Sequence, residues 1–213
     1  MPPKVEEARG KRSVIRFEAG KCIHSRHCVL DRPDVFVPDV QGEWLHPDRA
    51  TPEEIAELGH TCPSGAIQYD RLDGGAGETG PLVNTVRVLE NGPLAFRAPL
   101  QIAGQPAGFR ATLCRCGASG SKPYCDGSHA TAGFVATGET PTKESAALAM
   151  RNGPLAVTPI PNGPLQAKGP LEIVSGTGRT LNRVEETYFC RCGASKTKPY
   201  CDGSHKAMGF TAP

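Results

Sequence analysis

Short alternating or β-branched apolar stretches recur along the chain, each only a few residues long. Val14-Ile15-Arg16-Phe17, Ala66-Ile67-Gln68-Tyr69 and Val83-Asn84-Thr85-Val86-Arg87-Val88 each read as a short strand. Asn-Gly pairs at 91–92 and 162–163 accompany such stretches. Both residue types tolerate positive φ, so the pairs predict hairpin turns between antiparallel strands. A third Asn-Gly-Pro-Leu, at 152–155, predicts another turn of the same type. Thr51-Pro52-Glu53-Glu54 carries a different signal: an N-cap, a Pro at the first helical position and a capping-box Glu. It predicts a helix over about 52–59, stopped near Gly59.

The chain repeats itself. Residues 114–134 (CRCGASGSKPYCDGSHATAGF) lie over 190–210 (CRCGASKTKPYCDGSHKAMGF) at an offset of 76, with 16 of 21 positions identical. Upstream, NGPLAFRAPLQI (91–102) aligns with NGPLQAKGPLEI (162–173) at an offset of 71, so the second copy holds five extra residues between hairpin and cysteines. One copy has too few apolar residues to bury a core alone, which predicts that the two halves pack as a pseudo-dimer within the chain. The organisation expected is a flexible tail over 1–12, a distinct module over 13–71, a Gly-rich linker over 72–82, a first repeat over 83–140 and a second over 141–213. The fold class expected is α+β, built from small irregular β-rich domains with hairpins and short helices.

Composition narrows the function. Only 38% of residues are hydrophobic and 6% aromatic, so the core per residue is thin. Gly (25) and Pro (20) exclude a helical bundle or coiled coil. Lys and Arg (24) nearly balance Asp and Glu (22), which predicts neither nucleic-acid nor anionic-membrane binding. No apolar run approaches the ~18 residues of a transmembrane helix, and the first residues lack the apolar core of a signal peptide. A cytoplasmic protein is expected. Nine cysteines without a secretion signal then point to metal rather than to disulfides.

The repeats offer Cys114, Cys116, Cys125 and His129, and again Cys190, Cys192, Cys201 and His205. In C-x-C, two thiolates converge from an extended or turning backbone; in C-x3-H, one helical turn puts both ligands on one face. Asp126 and Asp202 stand where they can cap that helix. Two close pairs suit two sulfide-bridged irons, while three Cys and one His is also a tetrahedral zinc set. Tyr124 and Tyr200, Lys122 and Lys198, and Arg115 and Arg191 recur as well, and are read as packing or solvated residues.

Both copies match C-x-C-x2-S-x3-P-x-C-D-G-S-H at every position and resemble the CDGSH iron–sulfur domain (the mitoNEET-like family). The resemblance covers roughly residues 83–213. It implies a [2Fe–2S] cluster in each repeat, with Cys114 and Cys116 on an inner iron and Cys125 and His129 on an outer, more exposed one. Cys190, Cys192, Cys201 and His205 map the same way. Membrane-anchored members carry one motif and dimerise; this chain looks like the tandem type and is expected to be monomeric.

The remaining cysteines, Cys22, Cys28 and Cys62 followed by Pro63, are similar to those of single-cluster bacterial ferredoxins. The departure is Ser25, where the second Cys of the C-x2-C-x2-C run should stand. Three thiolates favour [3Fe–4S]; a [4Fe–4S] cluster with Ser25, His24, His27 or water on the fourth iron is the alternative. His24, His27, His46 and His60 are otherwise read as surface histidines, and Trp44 as packing under the loop between the cysteines. No dinucleotide or phosphate-loop fingerprint accompanies a predicted βαβ unit, so the expected role is one-electron transfer rather than enzymatic catalysis. The partner is an unidentified redox protein or apo-acceptor. Cluster carriage or iron and redox sensing is the second reading, and a structural zinc protein the third.

Overall fold

Alternation becomes strand geometry wherever it is strongest. In the computed structural model, which describes residues 5–213, the chain divides into one unit ending at Thr79 and another beginning at Gly80. The first holds an antiparallel sheet of β1 (Val5–Arg9), β2 (Ser13–Glu18) and β3 (Ile67–Arg71), in that order. The tail expected over 1–12 is corrected here: residues 1–4 lie outside those described, and Val5–Arg9 pairs with β2, Val5 opposite Glu18. Two helices follow β2, α1 (His27–Asp31) and α2 (Pro52–Thr61). Ile55, Ala56 and Leu58 of α2 join Ile15, Val35, Phe36, Ile67 and Tyr69 in one buried cluster.

The capping box at α2 is complete. Thr51 Oγ1 accepts from the Glu54 amide at 3.3 Å, and the Glu54 carboxylate accepts from the Thr51 amide at 2.7 Å. Gly59 does not stop the helix, which runs two residues further. Its role is close approach, since a Cβ there would lie 2.7 Å from Tyr69 Cδ1. The helix ends where the Cys62 amide turns back to Gly59 O, just before Pro63.

The second unit is mostly strand: β4 (Thr85–Val88), β5 (Leu94–Arg97), β6 (Leu100–Ile102), β7 (Gln105–Pro106), β8 (Arg110–Leu113), β9 (Leu155–Pro159), β10 (Leu165–Val174) and β11 (Thr180–Phe189). They form one sheet in the order β7-β6-β9-β10-β4-β5-β8, with β11 also on β10. Asn91 and Asn162, at φ +48° and +54°, turn the β4–β5 and β9–β10 hairpins. The glycine after each keeps an ordinary φ, so only the first position uses the left-handed region. The third Asn-Gly-Pro-Leu is not such a turn. Gly153, at φ +101°, precedes β9 without joining two paired strands. The five extra residues of the second copy lie between its hairpin and its cysteines, in the stretch occupied by the long β10–β11 pair.

Strands cross between the repeats. β4 of the first pairs in parallel with the end of β10 of the second, and β9 of the second pairs in parallel with β6 of the first. Under the 71-residue offset the pair Thr85↔Glu172 becomes Ala156↔Gln101, which is also observed. The exchange is reciprocal. One buried cluster accordingly draws on both copies, with Phe96 of the first against Phe189 of the second at 5.9 Å between ring centroids. Two single-turn helices complete the unit, α3 (Ser128–Thr131) and α4 (Ser204–Ala207). No helix of the described residues is long and apolar enough to cross a membrane.

Candidate metal centres

In each repeat a strand end is folded back on the CDGSH segment. Cys114 N donates to Pro123 O at 2.8 Å and Cys125 N to Thr112 O at 2.9 Å, on either side of the antiparallel bridge between Leu113 and Tyr124. In the second repeat Cys190 N donates to Pro199 O at 2.8 Å and Cys201 N to Tyr188 O at 2.9 Å. Ser119 and Ser195, both buried, brace the intervening loop by donating to Tyr124 O at 2.6 Å and Tyr200 O at 2.7 Å. Lys198 Nζ reaches Ser195 O at 2.6 Å, and Lys122 makes the matching bond to Ser119 O. Tyr124 and Tyr200 pack against the core as expected.

The donors stand in pairs. Cys114 Sγ lies 3.7 Å from Cys116 Sγ, and Cys125 Sγ lies 3.4 Å from His129 Nδ1. The second repeat repeats this at 3.8 Å for Cys190 and Cys192 and 3.4 Å for Cys201 and His205. The C-x3-H pair is not carried on one helical turn as the spacing suggested. Cys125 and Cys201 precede their helices, and left-handed Gly127 and Gly203, at φ +86° and +88°, swing the chain round. Asp126 accepts from Ser128 N at 3.0 Å and from Gly120 N at 2.8 Å, so it ties the helix start to the preceding loop. Burial opposes ionisation of this carboxyl, but the hydrogen bond from the Ser128 hydroxyl at 2.6 Å, followed by those from the Ser128 and Gly120 amides, prevails and holds it at about 2.

Thiol electrostatics follow the same geometry. The Cys116 hydrogen bond eases ionisation of Cys114, down to about 6, and drives Cys116 up, so the pair retains one proton between two sulfurs. Burial pushes Cys125 up to about 11, raises Cys190 and lowers His129, leaving a neutral imidazole available to a metal. In the second repeat Cys190 and Cys192 are buried while Cys201 and His205 are half-exposed. In the first repeat the half-exposed thiol is Cys116, and Cys125 is buried.

In the N-terminal unit Cys22, Cys28 and Cys62 line one cavity of about 320 Å³ together with Ser25, His24, His27, Trp44 and Ser64. Left-handed His24 and Arg26, at φ +54° and +66°, curl the 22–28 loop around it. His24 N donates to Cys22 Sγ at 3.4 Å, and Ser64 Oγ lies 3.6 Å from Cys62 Sγ. Burial raises the Cys22 and Cys28 thiols. Trp44 packs edge-on to Phe17 at 4.9 Å and donates to Glu6 at 2.8 Å. His46 and His60 are not at the cavity; His60 Nε2 lies 2.9 Å from Tyr69 OH. Among the described residues, no three His, Cys, Asp or Glu side chains close on one point as a single ion requires.

The family model described as iron-binding zinc finger CDGSH type matches residues 91–130 and 162–206, and that described as divergent 4Fe-4S mono-cluster matches 8–72. The chain carries two CDGSH-type segments in tandem and, N-terminal to them, a divergent 4Fe-4S mono-cluster module. No curated protein matches it at a significant level. The two CDGSH segments contain the eight paired donors, and the N-terminal match contains the three cysteines of the cavity. These CDGSH and mono-cluster families make it an iron–sulfur-binding protein and suggest a cluster-binding rather than a catalytic role.

Sequence reasoning read Arg115 and Arg191 as packing or solvated residues; the structure packs them, and so deeply that both are 1% exposed, the largest wholly buried side chains among the described residues. Their recurrence between the two C-x-C cysteines of each repeat was the available signal.

Proposed function

We propose that this protein carries two [2Fe–2S] clusters and one [3Fe–4S] cluster and serves in one-electron transfer between protein partners. Cys114, Cys116, Cys125 and His129 would hold the first, Cys190, Cys192, Cys201 and His205 the second, and Cys22, Cys28 and Cys62 the third. The observation that carries the reading is the pairing of donors, two by two, at 3.4 to 3.8 Å in both repeats. Soft thiolates with one imidazole suit iron–sulfur ligation, and two pairs suit two metals better than one. When bound, such clusters accept and release single electrons.

The chain's own residues supply the rest. Ser119 and Ser195 fix the loops that present the thiols, and Asp126 and Asp202 fix the turns that present the histidines, each accepting from the serine two residues on. Half-exposed His129 and His205 give a partner its point of approach. The reciprocal strand exchange supports an intrachain pseudo-dimer, so a single chain would complete both sites.

Iron and acid-labile sulfide content, read with electron paramagnetic resonance on the purified protein, tests the proposal. About seven irons per chain and a visible absorption envelope are expected on thiolate counting. A colourless, iron-free chain that holds zinc would overturn it. Transfer of iron and sulfide to an apo-acceptor, without redox cycling, would move the assignment to cluster carriage.

A further inference from the structure

Arg115 and Arg191 are buried cations. Removing a guanidinium from water is costly unless its donors are satisfied. Here the acceptors are backbone carbonyls. Arg115 Nε donates to Gly92 O at 2.9 Å, Nη1 to Thr137 O at 3.2 Å, and Nη2 to Leu89 O at 2.6 Å and Ala136 O at 3.1 Å. Arg191 Nε donates to Gly163 O at 3.0 Å, Nη1 to Pro213 O at 2.7 Å and Nη2 to Ile160 O at 2.7 Å. Phe134 and Phe210 lie against the two guanidinium planes, at 5.2 and 5.5 Å. Each arginine thus ties its own Asn-Gly hairpin to the segment that follows its own CDGSH helix.

Carbonyl acceptors satisfy the donors without cancelling the charge. Among the described residues neither guanidinium belongs to a salt bridge; exposed Glu90 acts on Arg115 only through space. Burial lowers both, Arg115 to about 10, and a guanidinium keeps its proton in proteins at neutral pH.

The two C-R-C-G loops cross. Cys116 and Cys192 form an antiparallel bridge, and a Cβ on Gly117 would lie 2.5 Å from Cys192 O, with the mirror contact from Gly193 to Cys116 O at 2.4 Å. The crossing sets each cation against a thiol of the other copy. Arg115 interacts electrostatically with Cys190 of the other copy and, after it, with Cys116 of its own, and Arg191 with Cys114 of the other copy.

We propose that Arg115 and Arg191 act across the pseudo-dimer as positioning residues with an electrostatic duty, each raising the reduction potential of the centre in the opposite repeat. The inference rests on the two-centre reading above. Reduction adds one negative charge to a centre, and a fixed cation in a low-dielectric interior stabilises the reduced state more than the oxidised one. Because the antiparallel bridge of Cys116 with Cys192 brings the two loops together, each cation acts across the boundary between repeats, and the two potentials are linked through the fold.

The test uses the full chain, with Cys201→Ser and His205→Ala so that the first-repeat centre is the [2Fe–2S] centre that loads. Arg191→Gln in that background should lower its midpoint potential, so that at the parent midpoint the reduced-to-oxidised ratio falls about tenfold, or about 59 mV for one electron. Arg191→Lys, which keeps the charge, should leave the ratio within about threefold. An unmoved midpoint in a folded Arg191→Gln protein would overturn the proposal, as would equal shifts in the Gln and Lys variants. Should Arg191→Gln unfold, Arg115→Gln in a Cys125→Ser, His129→Ala background carries the reciprocal readout. Unfolding of every Gln and Lys variant would reduce the arginines to struts and overturn the assignment too. Iron-free wild-type protein would sink the cluster reading itself; a loaded protein with an unmoved potential sinks only the role of the arginines.

Discussion

Gly117 and Gly193 show how little room one residue has where the two repeats meet. Both sit at positive φ, +84° and +82°, and both face a carbonyl of the opposite loop at under 3 Å from where a Cβ would be. Gly117→Ala or Gly193→Ala combines left-handed strain with a clash against backbone that cannot move freely. Each should cost about 1–3 kcal/mol or more. Chemical denaturation would measure the loss, and iron content should fall in both repeats, because the bridge at Cys116 and Cys192 is shared. At the N-terminal cavity the telling residue is Ser25, which lines it with the three cysteines. A neutral hydroxyl is a weaker iron ligand than thiolate. Aerobic protein is therefore expected to show the resonance of an oxidised three-iron cluster, and Ser25→Cys to convert it to [4Fe–4S]. Eight irons in untreated protein without that signal would show another group filling the corner, with His24 and His27 the next to substitute.

Helix α2 illustrates an element whose limits come from its ends. Thr51→Ala removes the cap and should destabilise the N-terminal unit by ~1 kcal/mol, seen as an earlier denaturation midpoint. Glu54 adds a pH signature. The Thr51 amide, followed by Arg32 at 3.0 Å, lowers its carboxyl below the ordinary value. A carboxylate with a depressed folded pKa contributes stability that is present above its unfolded value of ~4.3 and lost as pH falls through the folded value. Unfolding of this unit should therefore ease below about pH 4.3, and Glu54→Gln should flatten that dependence. An unchanged acid profile in Glu54→Gln would assign the dependence to other carboxylates.

The whole tandem unit is held by strands that belong to one repeat in sequence and to the other in space. β4 has its parallel partner in the second copy and β6 in the same way in β9. Residues 83–140 alone would expose both edges and half of the shared core. That fragment should be unfolded, or should dimerise to restore the missing pairs, whereas the full chain should scatter light as a monomer. A folded monomeric fragment that binds iron would contradict the pseudo-dimer. A stable full-length dimer at low concentration would contradict the monomer.

The sequence by itself determined what depends on neighbours a few residues away. The capping box over 51–54, the Asn-Gly hairpins, the short strands at 14–17 and 66–69 and the repeated donor spacing were all legible, because a cap, a turn or a C-x-C pair is closed by local backbone geometry. The end of α2 was misjudged because Gly59 answers to the Tyr69 ring, ten residues away on β3. Asn152-Gly153 was misjudged because a turn motif makes a hairpin only if the flanking strands pair, and those before β9 do not. The placement of Val5–Arg9 on β2, the crossing of strands between copies and the burial of Arg115 and Arg191 were decided by tertiary structure alone. Arg115 is satisfied by carbonyls at Leu89, Gly92, Ala136 and Thr137, and Arg191 by those at Ile160, Gly163 and Pro213. No local pattern encodes a cage gathered from segments more than twenty residues away on the chain; it exists only once the hairpin and the CDGSH helix of a repeat have closed on each other, and that closure is what makes a buried charge tolerable.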